Sequence, residues 1–231
     1  MYRAKINKDQ IRNHLHYDKW KYILGIVLVI FSWSMLTTIT TPRTPADKKV
    51  DIYLVGGYSL YEEADKYAET ILADFPELWE VNIYNINIEG EMEYTGRQQL
   101  MVMIGSQTGD IFSFTKGEFE VMVEMEAFLP LDDYPELLSH FTEEELEEGT
   151  FTTANDPTPR IYGLPISDVE PIGGKFFNTE DTLMGVMSYS QNTEKAVEVL
   201  EWIIEHKDAE KYETRRQELG IMDEEQETQE Q

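Results

Sequence analysis

The sequence predicts an α/β protein: a mostly parallel sheet flanked by helices, preceded in the chain by one transmembrane helix. Between residues 50 and 126, short apolar runs alternate with amphipathic helical patterns in the order β-α-β-α-β-α. Alternation of this kind is typical of a layered α/β fold whose parallel strands are joined by right-handed crossovers. A separate, uncharged apolar run of helical length lies before this region and predicts the transmembrane helix.

Residues 22–40 are interpreted as a signal-anchor helix because the run YILGIVLVIFSWSMLTTI contains no charged residue. A helix of that length spans roughly 27 Å, close to a bilayer core of about 30 Å. Basic residues are concentrated in residues 1–21, before the run, which predicts a cytoplasmic N-terminus and an extracellular main domain. A cleaved signal peptide is the alternative, but the flank TTITTPRTPADKK lacks a small-x-small cleavage site.

The extracellular part is predicted to begin after a linker, residues 41–49, in which two prolines oppose helix continuation. The first strand pattern, VDIYLVGGYS, is stopped by its two glycines, and the helix after it has apolar residues at i, i+3, i+4 and i+7 until Pro76. Later elements follow the same two patterns. Strands are predicted at 80–90, 110–114, 160–166 and 183–190, and helices from 94 to near Gly105, at 119–129 and at 192–206.

Two helix starts carry local signals. Thr142 and Glu145 have the spacing of a capping box, and Asn192 is the predicted N-cap of the last strongly amphipathic helix. The α/β domain is predicted to span residues 50–206. The Glu/Gln-rich tail, residues 207–231, is expected to be helical at first and then disordered.

Charge is strongly uneven along the chain. The formal net charge is −26, from 19 basic and 45 acidic residues, and residues 1–41 contain six of the basic and two of the acidic ones. The remainder therefore has 13 basic and 43 acidic residues, a net of −30. Such a field repels nucleic acid and anionic headgroups, so a nucleic-acid-binding protein is excluded. A soluble, self-repelling surface is the simpler interpretation of the same acids.

The sequence contains no recognisable catalytic or metal-binding motif. The absence of Cys excludes disulfides, thiol nucleophiles, Cys-ligated metals and a lipidated Cys. No Ser or Thr stands in a motif with a His base, and the Gly-Gly pairs lack the spacing of phosphate-binding loops. His14 and His16 have too few partners for a metal site, and Asp132-Asp133 is interpreted as a turn. We therefore expect no enzyme activity, no cofactor and no bound metal.

Four segments occur in a familiar order: VDIYLVGG, SQTGDIFSFTKGEFEVMVEMEAFLPLDDY, RIYGLPI and YSQNTEKAVEVLEWIIEH. Together they resemble bacterial extracellular solute-binding proteins of ABC importers, of the sugar-type, family 1-like group. The resemblance covers most of residues 50–206, and its motifs are mostly packing motifs. The matching positions are Gly109, Asp110, Phe128 to Asp133, Tyr162 to Pro165 and Asn192 to Trp202.

The resemblance implies a single lobe of a periplasmic-binding-protein-like fold. Family members insert most of a second lobe before the last matching helix, where this chain has only SDVEPIGGKFFNTEDTLMGVMSY. Gram-positive relatives are commonly held by a lipidated Cys, which the transmembrane helix would replace here. The resemblance therefore implies a protein on the cell membrane of a Gram-positive bacterium, assisting ABC-type uptake of a carbohydrate or similar small solute together with permease subunits.

Ligands of open α/β sheets bind beyond the carboxyl ends of the strands. The predicted ligand-binding residues are Gly57, Tyr58 and Ser59 after the first strand, and Phe114, Thr115 and Lys116 after the third. In this hypothesis Tyr58 stacks on a sugar face, and Ser59, Thr115 and Lys116 donate hydrogen bonds. The alternative is that Tyr58 is an isolated surface aromatic and Phe114 belongs to the core.

A function of a different class is also compatible with the sequence. A single lobe buries a small ligand poorly without a second surface. The chain is alternatively a tethered scaffold or interaction protein that uses a degenerate binding-protein lobe to recognise a protein partner, since fold does not fix function.

Overall fold

A computed structural model describes residues 8–40 and 44–221 of the chain. The chain divides into two compact units, residues 1–43 and 44–231. Three parts of the sequence predictions lie outside the described residues. They are positions 1–7 of the basic segment, positions 41–43 of the linker, and positions 222–231 of the tail.

The described residues of the first unit, 8–40, form the helix α1 (Lys8–Thr40). Within it, the 20-residue stretch Lys19–Thr38 is long and apolar enough to cross a membrane, judged by length and composition alone, and none of it is buried against protein. The hydroxyl of Thr38 donates to the carbonyl oxygen of Ser34, one turn back. Hydroxyls satisfied in this way add no unpaired donor to an apolar stretch.

The second unit contains the sheets and the other described helices. The strands are β1 (Lys49–Gly56), β2 (Glu80–Asn87), β3 (Ile111–Thr115), β4 (Thr150–Phe151), β5 (Arg160–Ile161), β6 (Leu164–Pro165) and β7 (Thr182–Val186). The α-helices are α2 (Tyr61–Asp74), α3 (Glu93–Gly105), α4 (Lys116–Glu124), α5 (Pro135–Leu138), α6 (Glu143–Glu148), α7 (Glu170–Gly173), α8 (Thr193–Glu205) and α9 (Ala209–Leu219). Short 3-10 turns lie at Ala46–Lys48 and Gly90–Met92.

The main sheet has the strand order β2-β1-β3-β7-β6. Strand β1 pairs in parallel with β2 on one side and with β3 on the other, with Ile52 opposite Ile83 and Ile111. Strand β7 runs antiparallel to both β3 and β6. Four of the five strands therefore point in one direction, which confirms the predicted α/β class with a mixed, mostly parallel sheet.

The segment RIYGLPI was predicted as one strand, and this prediction is wrong. The segment is split into β5, which pairs with β4 in a separate two-stranded sheet, and β6, which joins the main sheet. The break lies at Tyr162, whose N–H donates to the carbonyl oxygen of Gly149 at 2.9 Å instead of to a neighbouring strand. A backbone contact with a residue outside the segment therefore interrupts a locally strand-like pattern.

Alternate residues of β1 enter two separate cores. Ile52 and Leu54 pack on the face covered by α2 and α8, whereas Tyr53 and Val55 pack on the face covered by α3 and α4. Burial on both faces explains why the strand is almost continuously apolar, as is usual for parallel strands covered on two sides.

The two predicted helix starts have different outcomes. Thr142 and Glu145 form the predicted capping box at the start of α6, with the Glu145 N–H donating to the Thr142 hydroxyl at 3.3 Å. Asn192 occupies the cap position of α8, but its side chain makes no capping hydrogen bond. Its amide donates instead to the carbonyl oxygen of Lys49 at 3.1 Å, so it attaches the start of α8 to the start of β1.

The carboxylate of Asp74 joins three helices. It lies at the end of α2 and accepts hydrogen bonds from the indole N–H of Trp202 in α8, at 2.7 Å, and from Arg215 Nε in α9, at 3.0 Å. Hydrogen bonds from Arg215, followed by that from Trp202, hold the pKa of Asp74 below its ordinary value of 3.8 against the opposing effect of burial. The ionised carboxylate is therefore the form that fixes α9 against α2 and α8.

Replacing Asp74 with Asn should lower the free energy of unfolding by about 2 kcal/mol at neutral pH, because Arg215 loses its charged acceptor. Folded Asp74 has a lower pKa than the unfolded chain, so its contribution is present above pH 3.8 and is lost as the pH falls through the folded value. Denaturant unfolding of residues 44–231 across this range measures the difference. Asp65→Asn, an exposed change on the same helix, is the control, and an equal loss in both variants would contradict the assignment.

Candidate functional site

The carboxyl ends of β1 and β3 lie side by side at one edge of the sheet. The two strands pair in parallel with Leu54 opposite Ser113, so the turns that follow them meet at the same edge. From β1 the chain moves to β2 on one side, and it later returns to β3 on the other. The boundary between β1 and β3 is therefore the point at which strand order reverses, where ligands of open α/β sheets bind.

All six predicted ligand-binding residues are brought to this edge, but their side chains differ in exposure. Tyr58 is 69% exposed. Thr115 is also exposed and Lys116 is partly so. Ser59 and Phe114 are almost completely buried. The side chains available to a ligand are thus those of Tyr58, Thr115 and Lys116, beside the half-buried backbone of Gly57.

The ring of Phe114 is part of the core. It stacks on Phe112, with ring centroids 5.9 Å apart, and meets Phe128 edge-on at 6.1 Å. This arrangement matches the alternative interpretation of Phe114, in which it packs the face covered by α4. At the edge, Phe114 contributes only its backbone, as the residue before the last one of β3.

Lys116 makes a weak ion pair at the same edge. Its ammonium nitrogen lies 3.7 Å from a carboxylate oxygen of Glu148, and both side chains are close to half exposed. Exposed pairs of this kind contribute little free energy. The ammonium group is therefore able to leave Glu148 for a ligand at small cost.

The segment between α7 and β7 covers part of this edge. The N–H of Leu60 donates to the carbonyl oxygen of Phe176 at 3.1 Å, and the N–H of Lys116 donates to that of Asp181 at 2.9 Å. Phe177 lies so close to Gly56 that an added Cβ would approach its ring within 3.0 Å. The backbone donors of the two turns are thus partly used within the chain, and a ligand would meet side chains more than backbone.

The sequence prediction missed the aromatic neighbour of Tyr58. Tyr61, the first residue of α2, is 60% exposed, and Leu60 before it is 46% exposed. We refer to Tyr58, Leu60 and Tyr61 as the Tyr58–Tyr61 strip. The spacing of two tyrosines in YSLY was the available signal, but the helical pattern alone assigned Tyr61 to the helix rather than to the site.

The opposite edge of the sheet carries a polar cluster. Asp110 accepts a hydrogen bond from the Asp51 N–H at 2.9 Å and another from the Ser190 hydroxyl at 2.6 Å, and Asp51 is ion-paired with Lys49. Together with neighbouring loop residues these side chains line a cleft of about 250 Å³. Burial raises the pKa of Asp110 above its ordinary value, against the lowering effect of Ser190.

The polar cluster has a structural role. Its hydrogen bonds join β1, β3 and the loop after β7, and each carboxylate is paired within the chain. Within residues 8–40 and 44–221, no group of three or more His, Cys, Asp or Glu side chains is arranged to hold a metal ion. Between the two edges, the carboxyl edge with its exposed aromatic strip is the better candidate for a functional site.

No protein-family model matches this chain, and no curated protein matches it. Among solved structures, it is similar to an extracellular solute-binding protein family 1 member from Alicyclobacillus acidocaldarius, at 15% identity and a TM-score of 0.39, over 51% of this chain and 27% of that one. It is also similar to the GacH receptor of Streptomyces glaucescens, solved unliganded and with acarbose, at 15% identity and a TM-score of 0.33, over 50% of this chain and 29% of that one. The chain spans less than a third of either protein, and similarities of this extent do not assign it to their family.

Replacing Ser190 with Ala should lower the free energy of unfolding by about 1 to 2 kcal/mol at neutral pH, because ionised Asp110 loses a hydrogen bond. The substitution also raises the pKa of Asp110 further. The loss should therefore be largest above this pKa and should shrink as the pH falls through it towards 3.8. Denaturant unfolding at several pH values measures it, with the exposed Ser139→Ala as control; a loss that does not depend on pH would contradict the account.

Proposed function

We propose that this chain is a membrane-anchored, extracellular solute-binding-like protein that takes part in ABC-type uptake of a carbohydrate or similar small solute. The observation that carries this proposal is the exposed Tyr58–Tyr61 strip at the point where strand order reverses. Flat aromatic side chains pack well against the apolar faces of sugar rings, and Tyr also offers a hydroxyl for hydrogen bonding. Thr115 and Lys116, on the neighbouring strand end, supply polar groups that fix the orientation of a ligand.

The candidate site has a wall on only one side of the ligand, which limits its affinity for a sugar. Ligand pockets usually bury most of the ligand surface between two walls. Here the wall is the strip and the adjoining turns, so the second surface is proposed to come from a permease subunit or another partner at the membrane. Acting alone, the domain should bind a sugar with affinity in the millimolar range, about −4 kcal/mol.

The anchor in this proposal is helix α1. Its apolar stretch from Lys19 to Thr38 has the length needed for one membrane crossing. The basic residues before it favour a cytoplasmic N-terminus, with the α/β unit outside the cell.

A second candidate function, a tethered scaffold that binds a protein partner, is favoured by a different surface. Helices α3 and α4 cover the same face of the sheet and are linked by an ion pair of 2.8 Å between Arg97 and Glu118. Large apolar side chains on α3, on α4 and just after α4 are about half to three-quarters exposed: Tyr94, Met101, Val102, Val121 and Met125. Exposed apolar patches of this kind mark protein–protein contacts.

A titration of residues 44–231 with monosaccharides and oligosaccharides, followed by NMR chemical shifts, tests the first function. Shift changes should cluster around Tyr58, Tyr61 and Thr115. The double change Tyr58→Ala and Tyr61→Ala should weaken binding about tenfold, since it removes the stacking surface.

Tyr94→Ala, an exposed aromatic change on α3, is the matched control and should leave the affinity unchanged. Should no sugar shift any resonance at the carboxyl edge, the small-solute proposal fails and the scaffold function is the one to pursue.

The proposed membrane topology can be tested by cysteine labelling, because the native chain contains no Cys. In intact cells, a membrane-impermeant maleimide should label Ser139→Cys, whereas Asn13→Cys should react only after lysis. Alkaline carbonate should leave the full chain in the membrane fraction. Labelling of Asn13→Cys in intact cells would overturn the orientation, and carbonate release of the full chain would overturn the anchor.

A further inference from the structure

A groove lies between helix α8 and the segment that leads into α5. Its apolar lining, here called the floor, comes from Tyr134, Pro135, Leu137 and Val197, and its volume is about 340 Å³. Leu137 and Val197 are almost completely buried members of the main core, so the part of the floor that is open to a ligand is chiefly Tyr134 and Pro135. The size falls within the range of clefts that hold small ligands or single anchoring side chains.

The rim of this groove is acidic. Five carboxylates line it: Asp133, Glu136, Glu194, Glu198 and Glu201. The three glutamates of α8 are spaced by four and then three residues, which places them along one stripe of the helix. We call this feature the acidic groove.

The negative charge of the acidic groove is only partly neutralised within the chain. The ammonium nitrogen of Lys195 lies 2.6 Å from a carboxylate oxygen of Glu198 and 2.5 Å from one of Glu77. Its positive charge is therefore shared between the two carboxylates. No basic side chain is among the residues that line the groove. Burial, followed by repulsion from Glu205 and other nearby carboxylates, raises the pKa of Glu201 above its ordinary value. A cation in the groove would relieve that repulsion.

We infer that the acidic groove is a docking site for a short basic segment of another protein, which places one aliphatic or aromatic side chain on the floor and a Lys or Arg against the rim on each side. The floor selects an apolar anchor, and the rim selects positive charge by complementarity. From Glu194 to Glu201 the helix rises by about 10 Å. That distance matches roughly three residues of an extended segment.

Other cations fit the groove less well. A metal ion would need several ligands that converge on one point, and no such group is found among the described side chains. A polyamine would satisfy the rim but would leave the apolar floor unused. The acidic groove and the Tyr58–Tyr61 strip share no residue, so this inference does not depend on the proposed solute-binding function.

The inference can be tested with the full chain in phosphatidylcholine nanodiscs, whose lipids carry no net charge. Three fluorescent peptides are compared by anisotropy: Lys-Lys-Phe-Lys-Lys, Gln-Gln-Phe-Gln-Gln and Lys-Lys-Ser-Lys-Lys. The first should bind, and each of the other two should bind at least tenfold more weakly. Raised ionic strength should weaken binding of the first peptide, because its contacts with the rim are exposed charge pairs.

The double change Glu194→Gln and Glu201→Gln should weaken binding of the Lys-Lys-Phe-Lys-Lys peptide about tenfold. The matched control is Glu144→Gln with Glu147→Gln, which removes the same charge from exposed positions on α6 and should change the affinity by less than about twofold.

Equal weakening in the two double variants would show that the peptide senses only the overall negative field, and the inference would be wrong. It would also be wrong if the Phe and Ser peptides bound equally well, since the floor would then contribute nothing.

Discussion

The parallel pairing of strand β1 with both of its neighbours is the constraint on which the rest of the α/β unit depends. It pairs with β2 along its whole length, from Lys49 to Gly56, and with β3 over Ile52 to Leu54. Across the sheet, the chain steps to one side from β1 to β2 and then to the other side, past β1, from β2 to β3. Crossovers of one hand then place α2 and α3 on opposite faces. Both faces of β1 are covered as a result, and its apolar sequence becomes the centre of two cores.

The same pairing makes the two edges of the sheet chemically different. At the amino edge, Asp110 accepts hydrogen bonds from the Asp51 N–H and the Ser190 hydroxyl, and Asp51 is ion-paired with Lys49. The carboxylates of this edge are therefore paired within the chain. At the carboxyl edge, the chain before β7 closes part of the backbone but leaves Tyr58 and Tyr61 exposed. Strand order reverses between β1 and β3 at this second edge. Geometry and exposure thus favour the same location for ligand contact.

The surfaces proposed for binding share one property, which is that none of them encloses a ligand on all sides. The Tyr58–Tyr61 strip, the apolar face of α3 and α4, and the acidic groove all leave apolar side chains or unneutralised carboxylates facing solvent. An open surface of this kind gains affinity when a second surface excludes water from it. Under both proposals the chain acts together with a partner that supplies the second surface.

Much of the fold was determined by the sequence itself, because periodicity and capping act over three or four residues. The first three strand–helix pairs, helix α8 and the capping box at Thr142 all followed from such local patterns. The carboxyl edge was predicted as the ligand site from the general rule for open α/β sheets, and it stays a prediction. The tertiary structure determined which strands pair antiparallel and interrupted RIYGLPI at Tyr162. It also determined that the Asn192 amide donates to Lys49 and that the Phe114 ring is buried in the core. It also brought Asp74 to Arg215, 141 residues away, and assembled the acidic groove from two distant segments. Contacts of this kind depend on which faces meet after the chain has folded, and no local pattern of side chains specifies them.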